Sequence, residues 1–183
     1  MSKLFKRAMS VLLIGTMVMS IAACAPAGVK VKTEDEFKQA ILDAKIGADE
    51  DQFSPMKSYD AEGNIAEGLH FGNTVTIKGG YFIIMLEGGI FLDDDVEVAE
   101  QMYEGNYTTY VESGFDGKIN EVTTDEYKYF TLNGKVPVYE YCYGGWYYCD
   151  GMFLYVVTVE DDDEYRDKVD NILKKLGFPT PER

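Results

Sequence analysis

Tyr147-Tyr148-Cys149-Asp150-Gly151-Met152-Phe153-Leu154-Tyr155-Val156-Val157-Thr158-Val159 (residues 147–159) is the stretch that sets the architecture. Asp-Gly between two runs of aromatic and β-branched residues is the chemistry of a two-residue hairpin turn, whose central positions need positive φ. The arm after it, Met152 to Val159, is apolar at nearly every position and reads as a central strand. Two more hairpins follow from similar signals. Residues 74–89, TVTIKGGYFIIMLEGG, turn over Gly79-Gly80, with Val75 and Ile77 alternating before the turn. Residues 127–143, YKYFTLNGKVPVYEYCY, turn over Asn133-Gly134, and Pro137 pushes its arm towards a sheet edge. The glycine pairs at 79, 88 and 144 read as turn signals.

Helices are marked by their ends. Thr33 and Glu36 have capping-box spacing, Phe37, Ala40, Ile41 and Ala44 share a face, and Gly47 can stop the helix. In DDDVEVAEQMY, Asp94 and Glu97 repeat that spacing, and Val96, Ala99, Tyr103, Tyr107 and Tyr110 form a stripe weakened by Gly105. A third helix runs from EDDDEY, with Tyr165, Val169, Ile172, Leu173 and Leu176 as its apolar stripe. Lys174 and Lys175 suit its carboxyl end, and Gly177 and Pro179 end it. Residues 48–70 show no stable period and read as an irregular excursion. The expectation is an α+β fold: an antiparallel sheet of hairpins with about three helices covering one face, a single domain over 33–183.

The amino end has a different character. Lys3, Lys6 and Arg7 precede an apolar run from Ala8 to Ala23, the pattern of an export signal over residues 1–23. Its 16 residues fall short of the roughly 20 that a spanning helix needs. Residues 24–32 then read as a short tether. The leader holds three of the chain's 17 basic residues and no acids, so 14 remain against 32 acids, a formal net charge of −18. That charge repels nucleic-acid phosphates, and nucleic acid is excluded as a partner. The 46 % hydrophobic content is enough to build a core.

The candidate chemistry is sparse. Asp93, Asp95 and Glu97 have the alternate spacing of a calcium loop, but its sixth position is Val98 where glycine is required. The run Asp161 to Glu164 fails in the same way, and both runs read as helix amino-end charges instead. His70 is the only histidine and cannot supply a common zinc set. Ser54, Ser58 and Ser113 lie in no nucleophile elbow, and neither KGGY nor EGGI is a phosphate loop. No metal or other cofactor is expected. Cys142 and Cys149 bracket YGGWYY. A four-residue loop over 144–147 would set them opposite each other, whereas a turn at Gly144-Gly145 would put them out of register. A disulfide and a pair of reduced thiols both stay open. Tyr139, Tyr141, Tyr143, Trp146, Tyr147 and Tyr148 form an aromatic cluster: either a binding surface, with the first three on one strand face, or cover for the sheet.

Ile21-Ala22-Ala23-Cys24 closes the leader and resembles the bacterial lipobox. The resemblance implies a diacylglycerol on the Cys24 thiol, cleavage before it, and an extracytoplasmic domain anchored to the membrane. Two acyl chains suffice where one is marginal, at about 0.8 kcal/mol per buried CH₂. TEDEFKQAILDAKI, YFIIMLEGGIFLDDDVEVAEQMY and LYVVTVEDDDEYRDKVDNILKKLGF are similar to stretches of small lipoproteins of Firmicutes, particularly clostridial ones. That likeness implies no activity and no functional residues, and Cys142 and Cys149 depart from it. The expected role is binding or accessory work at the envelope, with a protein or glycan partner. The alternatives are a hydrolase using paired carboxylates and a glycan or small-ligand binder using the Tyr/Trp cluster.

Overall fold

The computed structural model describes residues 28–60, 62–78, 81–93, 97–137 and 139–183. In chain order the elements are α1 (Glu34–Asp43), β1 (Phe53–Tyr59), β2 (Ile65–Lys78), β3 (Tyr81–Leu92), α2 (Glu97–Tyr107), β4 (Asp116–Thr123), β5 (Tyr127–Lys135), β6 (Cys142–Cys149), β7 (Met152–Thr158) and α3 (Asp163–Leu176). The strands form one antiparallel sheet in the order β1-β2-β3-β7-β6-β5-β4. The α+β expectation holds, and β7, the fourth strand of seven, is central. Asp150 and Gly151 take φ of 43° and 76° between paired Cys149 and Met152, the turn that Asp-Gly demands. β2 and β3 pair up to Lys78↔Tyr81; the Gly79-Gly80 turn itself lies outside the described residues.

β6 and β7 explain how the layers stack. Alternate residues point to opposite faces, and β6 is buried at every position. Tyr143, Tyr147 and Cys149 join Met152, Leu154 and Val156 on one face, under Phe37 and Ile41 of α1 and Val169, Ile172, Leu173 and Leu176 of α3. Cys142, Trp146 and Tyr148 join Phe153 and Val157 on the other, under Val98, Ala99 and Tyr103 of α2. The helices therefore cover both faces, not one. Strands apolar at both parities need cover on both sides, at about 1.5–3 kcal/mol for each large side chain buried.

Helix ends follow their chemistry. Thr33 and Glu36 form a reciprocal capping box: the Glu36 N–H donates to Thr33 Oγ1 (3.2 Å) and the Thr33 N–H to Glu36 Oε2 (2.9 Å). Asp162 caps α3 by accepting from the Glu164 N–H (2.8 Å), and Gly177 ends it at φ 77°. At the amino end of α2, Asp93 accepts from the Val98 N–H (2.7 Å); Asp94 and Val96 lie outside the described residues.

Four expectations are corrected. Residues 48–70 are not irregular: they include β1 and the start of β2, paired from Phe53↔Phe71 to Tyr59↔Ile65. β1 is an edge strand and mostly exposed, so it lacks the apolar alternation of a covered strand. Asn133-Gly134 is no turn, because β5 runs through it to pair Gly134 with Cys142. Gly134 instead allows β4 to approach, since a Cβ there would lie 2.4 Å from the Asp116 carbonyl oxygen. Gly88-Gly89 and Gly144-Gly145 also lie inside strands. A Cβ at Gly89 would meet the Tyr155 ring at 2.6 Å, and one at Gly145 would meet the Tyr147 hydroxyl at 2.1 Å. These glycines make room for rings lying on the sheet.

Residues 28–32 and the carboxyl end strap the face covered by α1 and α3. Residues 28–32 pack rather than hang free: Val29 is buried, Gly28 lies against the Tyr127 ring, and the Lys32 N–H reaches Met152 Sδ (3.2 Å). After α3, the carboxyl end crosses β6, β5 and β4. Tyr147 donates to the Pro179 carbonyl, Asn133 Nδ2 to Glu182 O (2.8 Å) and Lys118 Nζ to Arg183 O (2.5 Å).

Candidate functional site

A cleft of about 600 Å³, open to solvent, lies where β5 and β7 end and β6 begins. Lys135, Val136, Tyr139, Glu140 and Tyr141 form one wall, and Val159, Glu160 and Asp161 the other. The 136–141 connection is shaped by reciprocal backbone bonds, Val136 N–H to Tyr139 O (3.3 Å) and Tyr139 N–H to Val136 O (3.2 Å). Tyr141 is oriented from both sides: it donates to Asn133 Oδ1 (2.9 Å) and accepts from Arg166 (3.0 Å). The Arg166 guanidinium also lies 5.7 Å from the Tyr141 ring centre and pairs with Asp161 (2.5 Å) and Asp163 (2.9 Å). Burial pushes the Tyr139 and Tyr141 hydroxyls above their usual pKa. For Tyr141, the Arg166 charge works against that rise. Both phenols stay neutral at physiological pH. The cleft thus offers two tyrosines on one wall and three carboxylates against Lys135, with Asp161 already paired to Arg166. That surface suits a ligand or partner carrying positive charge.

The rest of the aromatic cluster is not a surface. Tyr143, Trp146, Tyr147 and Tyr148 are all buried, because α1 with α3 and α2 close the two sheet faces. Trp146 stacks on Phe130 at 4.8 Å with the planes 9° apart, and Tyr110 packs at 4.9 Å. Tyr143 donates to Asp170 Oδ1 (2.8 Å), a buried carboxylate that also pairs with Arg183 (2.9 Å). Tyr139 and Tyr141 precede β6 and do not share a strand face with Tyr143. Only those two of the six reach the cleft.

Cys142 and Cys149 are both free and buried. They stand at the two ends of one eight-residue strand, about 23 Å apart at strand rise and pointing to opposite faces. A disulfide needs Cα atoms within roughly 7 Å, so this fold forms no bridge between them. Burial raises both thiol pKa values, which keeps them protonated and unreactive. Cys24 lies outside the described residues, as does the whole leader, residues 1–23. The acidic runs end in capping and ion pairs: Asp162 at the α3 cap, Asp161 and Asp163 on Arg166, and Glu164 on Lys168 (2.7 Å). Among the described residues, no group of three or more His, Cys, Asp or Glu side chains is arranged to hold a metal.

Sequence reasoning missed one constellation. His70 Nε2 lies 3.7 Å from Glu87 Oε2, both partly buried on the α2 face of the sheet, and Ser54 pairs across from His70. Glu87 contributes to the raised pKa of the Tyr110, Tyr139 and Tyr155 hydroxyls, for each of which burial is the larger cause. The signal was available, since the Gly79-Gly80 turn expected from the sequence predicts His70 opposite Gly89 and Gly72 opposite Glu87, the pairing that β2 and β3 show. Among the described residues no hydrogen bond joins Ser54 to His70.

Compared with known proteins, the chain matches no family model, no curated protein and no solved structure.

Proposed function

We propose that this chain is an extracytoplasmic domain held on the cell membrane by a lipid on Cys24, with a binding or accessory role at the envelope. The observation that carries the reading is Ile21-Ala22-Ala23-Cys24 at the close of a basic, then apolar, leader. Packing of residues 28–32 on the sheet supports it, because the domain starts at once after the proposed anchor. No helix among the described residues is long and apolar enough to cross a membrane. The binding surface is the cleft lined by Tyr139, Tyr141, Glu140, Glu160 and Asp161, and its partner is a protein or amino-bearing glycan that presents positive charge.

The test compares the full chain with Cys24→Ala in a bacterial host, by fractionation and detergent-phase partition. The parent is expected in membranes and in the detergent phase. The variant is expected uncleaved or released. Identical partition of the two would overturn the anchor.

A further inference from the structure

Residue 28 and the cleft lie at opposite ends of the same three strands. Gly28 sits against Tyr127 at the start of β5. Residues 31 and 32 reach Cys149 at the end of β6 and Met152 at the start of β7. The cleft is built at the other ends: Lys135 closes β5, Tyr141 precedes β6, and Val159 follows β7. β5 runs from Tyr127 to Lys135 and spans roughly 26 Å at strand rise. Between Cys24 and Gly28 stand only residues 25–27, so the link is four residue steps long and reaches about 14 Å at most. The link is therefore shorter than the strands that separate the two ends.

We infer that the domain stands on the lipid surface with the Asp150-Gly151 end of β6 and β7 towards the headgroups and the Tyr139–Tyr141 cleft facing away. Charge opposes lying flat. Glu140 and the run Glu160 to Glu164 crowd the cleft end with acids, which an anionic leaflet repels. Asp125, Glu126 and Asp150 make the near end acidic as well, but the short link holds that end close whatever its charge. A partner would then be met from the outside, beyond the layer next to the membrane. This orientation rests on the anchor proposed for Cys24.

The test places a donor dye, through an encoded unnatural side chain, at Asp125 or separately at Lys135, the flanks of β5. Both positions are exposed. The lipidated chain purified from membranes is reconstituted in phosphatidylglycerol-containing vesicles that carry headgroup acceptor dyes. Energy transfer is expected to be several-fold stronger from position 125 than from 135. Equal or inverted transfer overturns the orientation. A second arm couples residues 24–183 through Cys24 to maleimide lipid, Cys142 and Cys149 being shielded by burial. The same contrast there, with an unlipidated Cys24 in cells, would support the geometry and overturn the natural anchor. Equal transfer in both arms overturns the geometry itself.

Discussion

Phe130→Ala decides whether the aromatic cluster is core or surface. Phe130 has no exposed area, lies flat on Trp146 at 4.8 Å, and meets Tyr103 (5.5 Å) and Tyr107 (5.4 Å) edge-on. Truncating a buried Phe to Ala removes its transfer free energy and leaves a cavity, together about 3–5 kcal/mol. Three ring partners place this site near the middle of that range or above, about 4 kcal/mol. Set against a total stability of roughly 5–15 kcal/mol, that is a large loss. At about 2–4 °C per kcal/mol for a domain of this size, Tm falls by roughly 8–16 °C. Trp146, the only tryptophan, is 1 % exposed and reports the transition directly. Denaturant unfolding followed by its fluorescence should show a lower midpoint with an unchanged slope. Native Trp146 emission should be shielded from an aqueous quencher. A loss below about 1 kcal/mol, the range of surface substitutions, would refute the buried reading. A Trp146 already open to quencher in the parent chain would refute it too.

Other outcomes follow from the same packing. Gly144→Ala should cost about 3 kcal/mol or more, since its Cβ would lie 2.5 Å from the Val156 carbonyl oxygen on the neighbouring strand. Gly105→Ala meets nothing within 4 Å inside α2 and should stabilise by about 0.5–1 kcal/mol; paired denaturant curves check both signs. In Cys24→Ala, Cys142 and Cys149 should resist alkylation in the native state and both react in denaturant, with no mass change on reduction; a bridged pair would contradict β6 as one strand. The Thr33 N–H holds the Glu36 carboxyl below its usual pKa. A depressed folded pKa stabilises above the unfolded value, near 4.5, and that contribution is lost as pH falls through the folded one. Glu36→Gln should therefore flatten the acid side of the stability–pH curve and leave its alkaline side unchanged.

Some elements could be read directly because the chemistry was local. Asp150-Gly151, the Thr33–Glu36 box and the Gly177 stop each depend on groups a few residues apart, and each stands where the sequence puts it. Glycine pairs misled because glycine serves two purposes, positive φ and close approach, and a strand can hide the second. Gly88 and Gly145 stand in one row across β3, β7 and β6 to admit Phe37 and Tyr147, a relation visible only once strand order is known. Asn133-Gly134 failed for the same reason. Strand β1 gave no signal because an edge strand needs no apolar alternation. At the candidate site, Tyr139 and Tyr141 were identifiable as aromatic. Only the order β3-β7-β6-β5 determines that they line a cleft while Tyr143, Trp146, Tyr147 and Tyr148 are enclosed.

The anchor is tested most directly by the mass of the amino-terminal peptide from protein extracted out of bacterial membranes. The expected peptide begins at Cys24 and carries the added mass of a diacylglycerol thioether, with residues 1–23 gone. A peptide that retains Ile21-Ala22-Ala23 ahead of an unmodified Cys24 would contradict the proposed anchor and the orientation built on it.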